Sequence, residues 1–375
     1  MNFYRIKNES VLYGFNDPIL DTPIIGKTLL DIHQENITSI GGVLIDVDSF
    51  EAVPETNCFV FSADLFFTKK FLEQAIQLSK GTSSSLQFAL PRNSFNERFV
   101  LPNDLDTDDH HVFEFFFLNG ETIEIQEIEQ EIFESAIVFP NQLVSEGKYS
   151  MDQCDCFAVH LNSPFHLLMA NLAVNLSRTV SLQSKLPKRL SKLFNFSSGR
   201  WYYLGLKRMN QIGKNCVIHP SAIIEGSVIG DNVRIGANAV VRLSVVEDNS
   251  YISDNVSVVL SVLGKGTHIG NSNYINSCLT YEEVFLIHGP YQLSVFGRNS
   301  ACFAVINCDI RLDRGTIKIP TSQGLIDSLQ PLLGIAYGHN SKTGGGNIIA
   351  AGRVVPNNTV IPPPDNIILD FKAWK

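Results

Sequence analysis

Ile212–Asn276 reads IGKNCVIHPSAIIEGSVIGDNVRIGANAVVRLSVVEDNSYISDNVSVVLSVLGKGTHIGNSNYIN, and its spacing decides how the second half of the chain folds. Ile212, Ile229, Val246 and Leu263 recur every 17 residues, as do Ile218, Ile235, Ile252 and Ile269, and as do Ile224, Val241, Val258 and Ile275. Within each repeat the apolar positions stand six, six and five apart. Three interleaved series with one period predict a parallel β-helix of about four coils, with three short faces per coil and one inward aliphatic residue per face. Each inward side chain then stacks on its equivalent one coil away, about 4.8 Å along the axis. Gly213, Gly230, Gly236, Gly264 and Gly270 follow inward residues and read as tight corners, not as a phosphate loop. Asn215, Asn232, Asn238 and Asn255 suit the same corners, because asparagine tolerates the left-handed region and bonds its own backbone.

Outward from this stretch the rhythm breaks. Residues Ser277–Gly297 lack a six-residue beat and are expected to form an inserted loop, and Thr321–Leu333 a short helix. Ile349, Val355 and Ile361 restore the spacing, and the apolar tail Ile367–Trp374 is expected to cap the open end.

The first half has another character. Cys58–Asp64 is an apolar run ending in an acid, and Phe71, Leu72, Ala75, Ile76 and Leu78 give the helical stripe that follows, with Thr68 as N-cap. Leu86–Leu90, Val112–Leu118 and Cys156–Leu161 read as strands, with Pro164–Asn175 as a further helix. Strands alternating with helices predict an α/β domain. The expected organisation is an α/β domain over 1–176, a basic helical linker over 177–210 and an all-β parallel β-helix over 211–375.

Composition narrows the function. The 375 residues hold 29 Lys and Arg against 38 Asp and Glu, a net charge of −9, which argues against nucleic acid as a partner. With 44% apolar residues and 25 Phe the chain has ample surface to bury and is not disordered. Its opening MNFYRIKNES lacks an apolar core with a cleavage site, and no apolar run is long enough to span a membrane. Seven cysteines without a framework of spacings fit reduced thiols, so the expected location is cytoplasmic.

The period of 212–276 resembles the left-handed β-helix of hexapeptide-repeat transferases. FVFSADLFFTKKFLEQAI looks like the central strand, acid and helix of sugar-nucleotide nucleotidyltransferases, with PIIGKTLLDIHQENITSIGG and HLNSPFHLLMANLAV similar to earlier and later segments of that fold. An α/β transferase domain followed by a hexapeptide β-helix is the layout of N-acetylglucosamine-1-phosphate uridyltransferases and ADP-glucose pyrophosphorylases. The resemblance implies a divergent nucleotidyltransferase-like first domain, a sugar phosphate or nucleotide sugar as ligand, and a homotrimer. The departure is equally plain: residues 1–30 hold only Gly14 and Gly26, with no Gly-rich loop to cradle a triphosphate. Regulatory subunits that keep this architecture and bind a nucleotide sugar without turnover are therefore the alternative to a transferase.

Candidate residues follow. The resemblance makes Asp64 a Mg²⁺ ligand, with Asn162 or Ser163 supplying a second oxygen; alternatively Asp64 is a solvent-facing residue after a buried strand. In the β-helix, Tyr337–Gly346 resembles the segment in which hexapeptide acyltransferases place a basic His. His339 is then the candidate catalytic base for acyl-CoA-dependent transfer, Asn340 and Lys342 the candidates for holding that co-substrate, and His288 a second catalytic group. A hydrogen-bonded corner is the other reading of the same segment. The acidic run Asn103–His111 reads as a solvated turn, and Cys154-Asp155-Cys156 has the wrong spacing for zinc. Seven cations between Lys185 and Arg208 read as a solvated linker helix, or as a surface that meets a phosphorylated substrate.

Overall fold

The computed structural model describes residues 1–7, 10–53, 56–134, 136–138, 148–183, 207, 209–313, 315–322 and 324–365. The basic linker expected over 177–210 and the cap expected at Ile367–Trp374 lie largely or wholly outside them. The chain divides into two compact units: Met1–Arg208 with Arg311–Leu332, and Met209–Ile310 with Leu333–Lys375.

The first unit is built on a six-stranded sheet in the order Val43–Val47, Asn2–Ile6, Cys58–Ser62, His110–Leu118, Ser85–Pro91, Ile123–Glu127. The strand His110–Leu118 runs against both neighbours, whereas the other pairings are parallel. Every residue of Cys58–Ser62 is buried, which is why that central strand reads as an unbroken apolar run. Helices α1 (Leu29–Ser39), α2 (Lys69–Ser79), α3 (Asn96–Phe99) and α4 (Pro164–Gln183) belong to this unit. Thr28 and Asp31 close a capping box on α1, and the Thr68 hydroxyl caps α2 by accepting from the Phe71 amide at 3.3 Å. A short antiparallel ladder between Leu65–Phe67 and Ala158–His160 brings a late segment of the unit alongside the residue that follows the central strand.

The second unit is a left-handed parallel β-helix. Two of its sheets contain eight strands each among the described residues, so it runs twice as far as the 212–276 repeat alone indicates. Register is one coil per step: Ile212 lies beside Ile229, Ile218 beside Ile235 and Ile224 beside Val241. Their equivalents form one continuous core that takes in larger rings further along, with Phe296 stacked on Tyr337 at 5.1 Å. Corners repeat as well. Asn215, Asn232, Asn249, Asn299, Asn340 and Asn358 all have φ between 55° and 61°, and their amides bond from coil to coil. A second ladder lies inside: the Ser227, Ser244 and Ser261 hydroxyls each accept from the amide 17 residues later, at 3.1 Å.

Two expectations need correction. Ser277–Gly297 is not an inserted loop but a regular part of the β-helix, with strands at Leu279–Thr280, Phe285–Ile287, Tyr291–Gln292 and Val295–Phe296. The beat is lost because one residue is missing at the corner: Ile269 pairs with Leu286, 17 residues on, but Leu286 pairs with Cys302, 16 residues on. Thr280, Tyr291 and Phe296 also replace aliphatic residues there. The true interruption is Arg311–Leu332, which joins the first unit. Nor is Thr321–Leu333 a helix; Lys318–Thr321 and Gly324–Asp327 form an antiparallel hairpin around buried Ile317 and Ile319.

Candidate functional site

Asp64 stands two residues beyond the central strand of the first unit, at its carboxyl end. The antiparallel ladder opposite pairs His160 with Leu65, and the Leu161 amide donates to the Asp64 carbonyl at 2.9 Å. That pairing carries His160 and Asn162 to Asp64. Glu114 arrives from the next strand of the sheet, where Phe61 pairs with Phe115; its neighbours Phe113 and Phe115 are buried on one face while Glu114 is exposed on the other. These four residues line a cavity of about 260 Å³ together with Pro102–Leu105 of the acidic run and Thr321, Ser322 and Ile326 of the hairpin. All of them belong to the first unit. Among the described residues the lining contains three carboxylates and no Lys or Arg.

The electrostatics are specific. Burial by itself would raise the Asp64 carboxyl, but the His160 ring, by charge and hydrogen bond, and the Ser62 hydroxyl outweigh it and hold it down to about 2. His160 Nδ1 lies 3.1 Å from Asp64 Oδ2, and Nε2 accepts from the Glu114 amide at 3.2 Å. Burial disfavours the imidazolium and the Asp64 carboxylate favours it, the second prevailing. While the ring is neutral, the Glu114 amide fixes its proton on Nδ1, facing Asp64. Ligand atoms of Asp64, Glu114 and His160 lie within 4.8 Å of one another, close enough to serve as donors to one divalent ion. The acidic run supplies a wall instead of a metal loop: Asp106 accepts from His111 Nδ1 at 2.8 Å and from the Val112 and Asn103 amides at 3.3 Å. Cys154 and Cys156 are buried, and burial pushes the Cys154 thiol up to about 11, which suits packing and not metal binding.

The sequence singled out Asp64 and Asn162, and the fold places both in one cavity. Glu114 and His160 were missed, although a lone acid inside the aromatic strand VFEFFF was a usable signal.

The β-helix candidates are placed elsewhere and do not converge. His339 Nδ1 accepts from the Arg298 amide at 2.7 Å, so the proton of the neutral ring sits on Nε2, and the buried ring packs edge-on against Tyr281. In that tautomer its one basic lone pair, on Nδ1, is taken up by the Arg298 amide. Asn340 is a member of the corner ladder, and Lys342 is an exposed residue on a strand between Ala301 and Val360. His288 is an exposed corner residue with φ 55°, in line with Asn255 and Ser272, and not part of a loop.

Residues 206–286 match the family described as the GMPPB C-terminal domain. No curated protein matches the chain. Among solved structures, two variants of the GDP-perosamine N-acetyltransferase of Caulobacter crescentus, in complex with CoA and GDP-perosamine, are similar at 11% identity, with 40% of this chain and 54% of theirs covered and a TM-score of 0.19. A Bacillus cereus protein described as an acetyltransferase is similar at 15% identity, with 40% of this chain and 77% of its own covered and a TM-score of 0.20. The chain thus spans about half the length of the Caulobacter enzyme. Among the described residues no helix is long and apolar enough to cross a membrane.

Proposed function

We propose that this chain is a transferase of sugar-nucleotide metabolism, acting on a sugar phosphate or nucleotide sugar at the acidic cavity of its first unit. The observation that carries the reading is the convergence of Asp64, Glu114, His160 and Asn162 on one cavity at the carboxyl end of a central strand, where open α/β sheets take their ligands. The match over 206–286 supplies the nucleotide-sugar context. The oxygens of Asp64, Glu114 and Asn162 fit Mg²⁺, which prefers hard donors, and these three residues would hold it. Bound there, the ion would offset phosphate charge beside this acidic lining. Asp64 contributes as a carboxylate throughout the neutral range, His160 aims it, and the Glu114 amide keeps His160 in register. In nucleotidyl transfer a phosphate oxygen of the sugar phosphate attacks the α-phosphorus of a nucleoside triphosphate, and pyrophosphate leaves. Acyl transfer from acyl-CoA would need a base other than His339 in its present tautomer. Assembly as a homotrimer belongs to the same proposal and is checked by sedimentation.

The test is pyrophosphate release by the full chain from nucleoside triphosphates, hexose 1-phosphates and Mg²⁺, together with thermal shifts. Wild type should turn over and be stabilised with Mg²⁺ present, and Asp64→Ala should lose both. A wild-type chain that no divalent ion or sugar phosphate stabilises defeats the reading. One observation favours a second reading, a regulatory subunit that binds a nucleotide sugar without turnover: among the described residues the cavity lining holds no Lys or Arg, and residues 1–30 hold no Gly-rich loop to cradle a triphosphate. Stabilisation by a nucleotide sugar without turnover decides for it.

A further inference from the structure

We infer that the hairpin Lys318–Asp327 is the element that reads the sugar, and that the cavity seats the hydroxyl-bearing ring of its ligand rather than a polyphosphate. This rests on the functional reading above and adds the ligand's chemistry to it. The hairpin is a built wall, not a stray loop. Ile319 within it and Ile317 just before it are buried, and the Ser328 hydroxyl donates to the Ile317 carbonyl at 2.6 Å. Just beyond it, buried Gln330 donates to the Glu97 carbonyl at 2.8 Å and accepts from the Arg98 guanidinium, both on or beside α3 of the same unit. So anchored, the hairpin presents Thr321, Ser322 and Ile326 to the cavity. The Thr321 hydroxyl is oriented by donating to the Gly324 carbonyl at 3.1 Å, and Ser322 is exposed.

Facing these hydroxyls are the Asp64, Asp104 and Glu114 carboxylates and the Asn162 amide. Carboxylates accept from sugar O–H groups, amides and hydroxyls do both, and Ile326 offers an apolar patch for the C–H face of a ring. A polyphosphate meets the reverse, because one divalent ion leaves this lining acidic. Size agrees. Drug-sized ligands occupy roughly 300–1,000 Å³, so a cavity of about 260 Å³ suits a monosaccharide and its single phosphate, not a complete nucleotide sugar.

Calorimetry on the full chain tests this with Mn²⁺ alone, then with glucose 1-phosphate, mannose 1-phosphate and inorganic phosphate in the presence of Mn²⁺. Each lost hydrogen bond to a hydroxyl costs roughly two- to tenfold in affinity. Wild type should bind one of the hexose 1-phosphates at least about tenfold more tightly than inorganic phosphate, and Thr321→Val with Ser322→Ala should cut that preference to about threefold or less while leaving Mn²⁺ affinity unchanged. Ser322→Ala alone, at an exposed position, should lower the preference part-way and guards against a folding defect in the double variant. Equal hexose 1-phosphate binding by wild type and both variants overturns the inference, as does a wild type that does not prefer them to phosphate. In either case Mn²⁺ binding that is lost in Asp64→Ala leaves the functional reading standing. A wild type that binds no Mn²⁺ overturns both.

Discussion

Two buried histidines should make the first unit acid-sensitive well above the range in which its carboxylates titrate. His33 packs against both the Phe61 and Phe67 rings, and its Nε2 is 2.8 Å from the Leu65 carbonyl. Burial drives its pKa from 6.5 down to about 3, with the Leu65 carbonyl pulling weakly the other way. His166, at 2.8 Å from the Ser163 hydroxyl, falls to about 4 by burial against the Pro102 carbonyl. Both folded pKa values are depressed, so the unfolded chain takes up these protons first as pH falls. Their contribution to stability is fully present above about pH 6.5 and is lost as pH falls, down to about 4 for His166 and about 3 for His33. From pH 7 to 5 each ring withdraws about 2 kcal/mol, the slope reaching about 1.4 kcal/mol per pH unit once the unfolded ring is charged, or about 4 kcal/mol for the pair. His160 trims that sum, because Asp64 favours its charged form in the fold. Helices α1 to α4 all belong to the first unit, so ellipticity at 222 nm during urea unfolding reports on it. The midpoint should fall from pH 7 to pH 5, and His33→Gln, which keeps a donor for Leu65, should show about half the loss. A midpoint that does not move between those pH values, or a His33→Gln variant with the full slope, refutes the reasoning.

Three further outcomes are expected. Ser244→Ala orphans the buried Ser261 amide and should cost about 1–3 kcal/mol in thermal or urea unfolding of the β-helix. In Gly230→Ala the new Cβ would lie 2.4 Å from Asp248 Oδ1 and 2.7 Å from the Asp248 amide, so a loss of about 1–3 kcal/mol should appear in the same melts. His339→Ala removes the acceptor for the Arg298 amide and should also lose about 1–3 kcal/mol, yet retain full activity on sugar phosphates; an inactive but fully stable variant would restore His339 as a base.

Sequence carried the β-helix as far as its period held, because stacked coils force equivalent positions into equivalent environments. Ile349, Val355 and Ile361 fell where the structure puts inward residues of the last coils. The reading failed at 277–297 over one deleted corner residue, which shifts every later position out of phase while leaving the stacking intact. It also passed over the serines at 227, 244 and 261, whose spacing equals that of the aliphatic columns but whose residue type is not one sought in a core. In the first unit, Thr68 and Asp64 were legible because a cap and a strand-terminal acid are local signals. Glu114, His160, Thr321 and Ser322 were not, since strand pairing joins segments that lie far apart in the chain, and the hairpin comes from inside the β-helical part of the sequence.

That last arrangement has a consequence for synthesis on the ribosome. Gln330 and the hairpin belong to a unit whose other residues end at Arg208, so the nascent α/β body must wait, one wall short, while more than a hundred residues of the following prism are made. At roughly 5–20 residues per second this gap lasts on the order of ten seconds. During it, the Arg98 guanidinium and the Glu97 carbonyl both lack Gln330, a window in which chaperones would be expected to act.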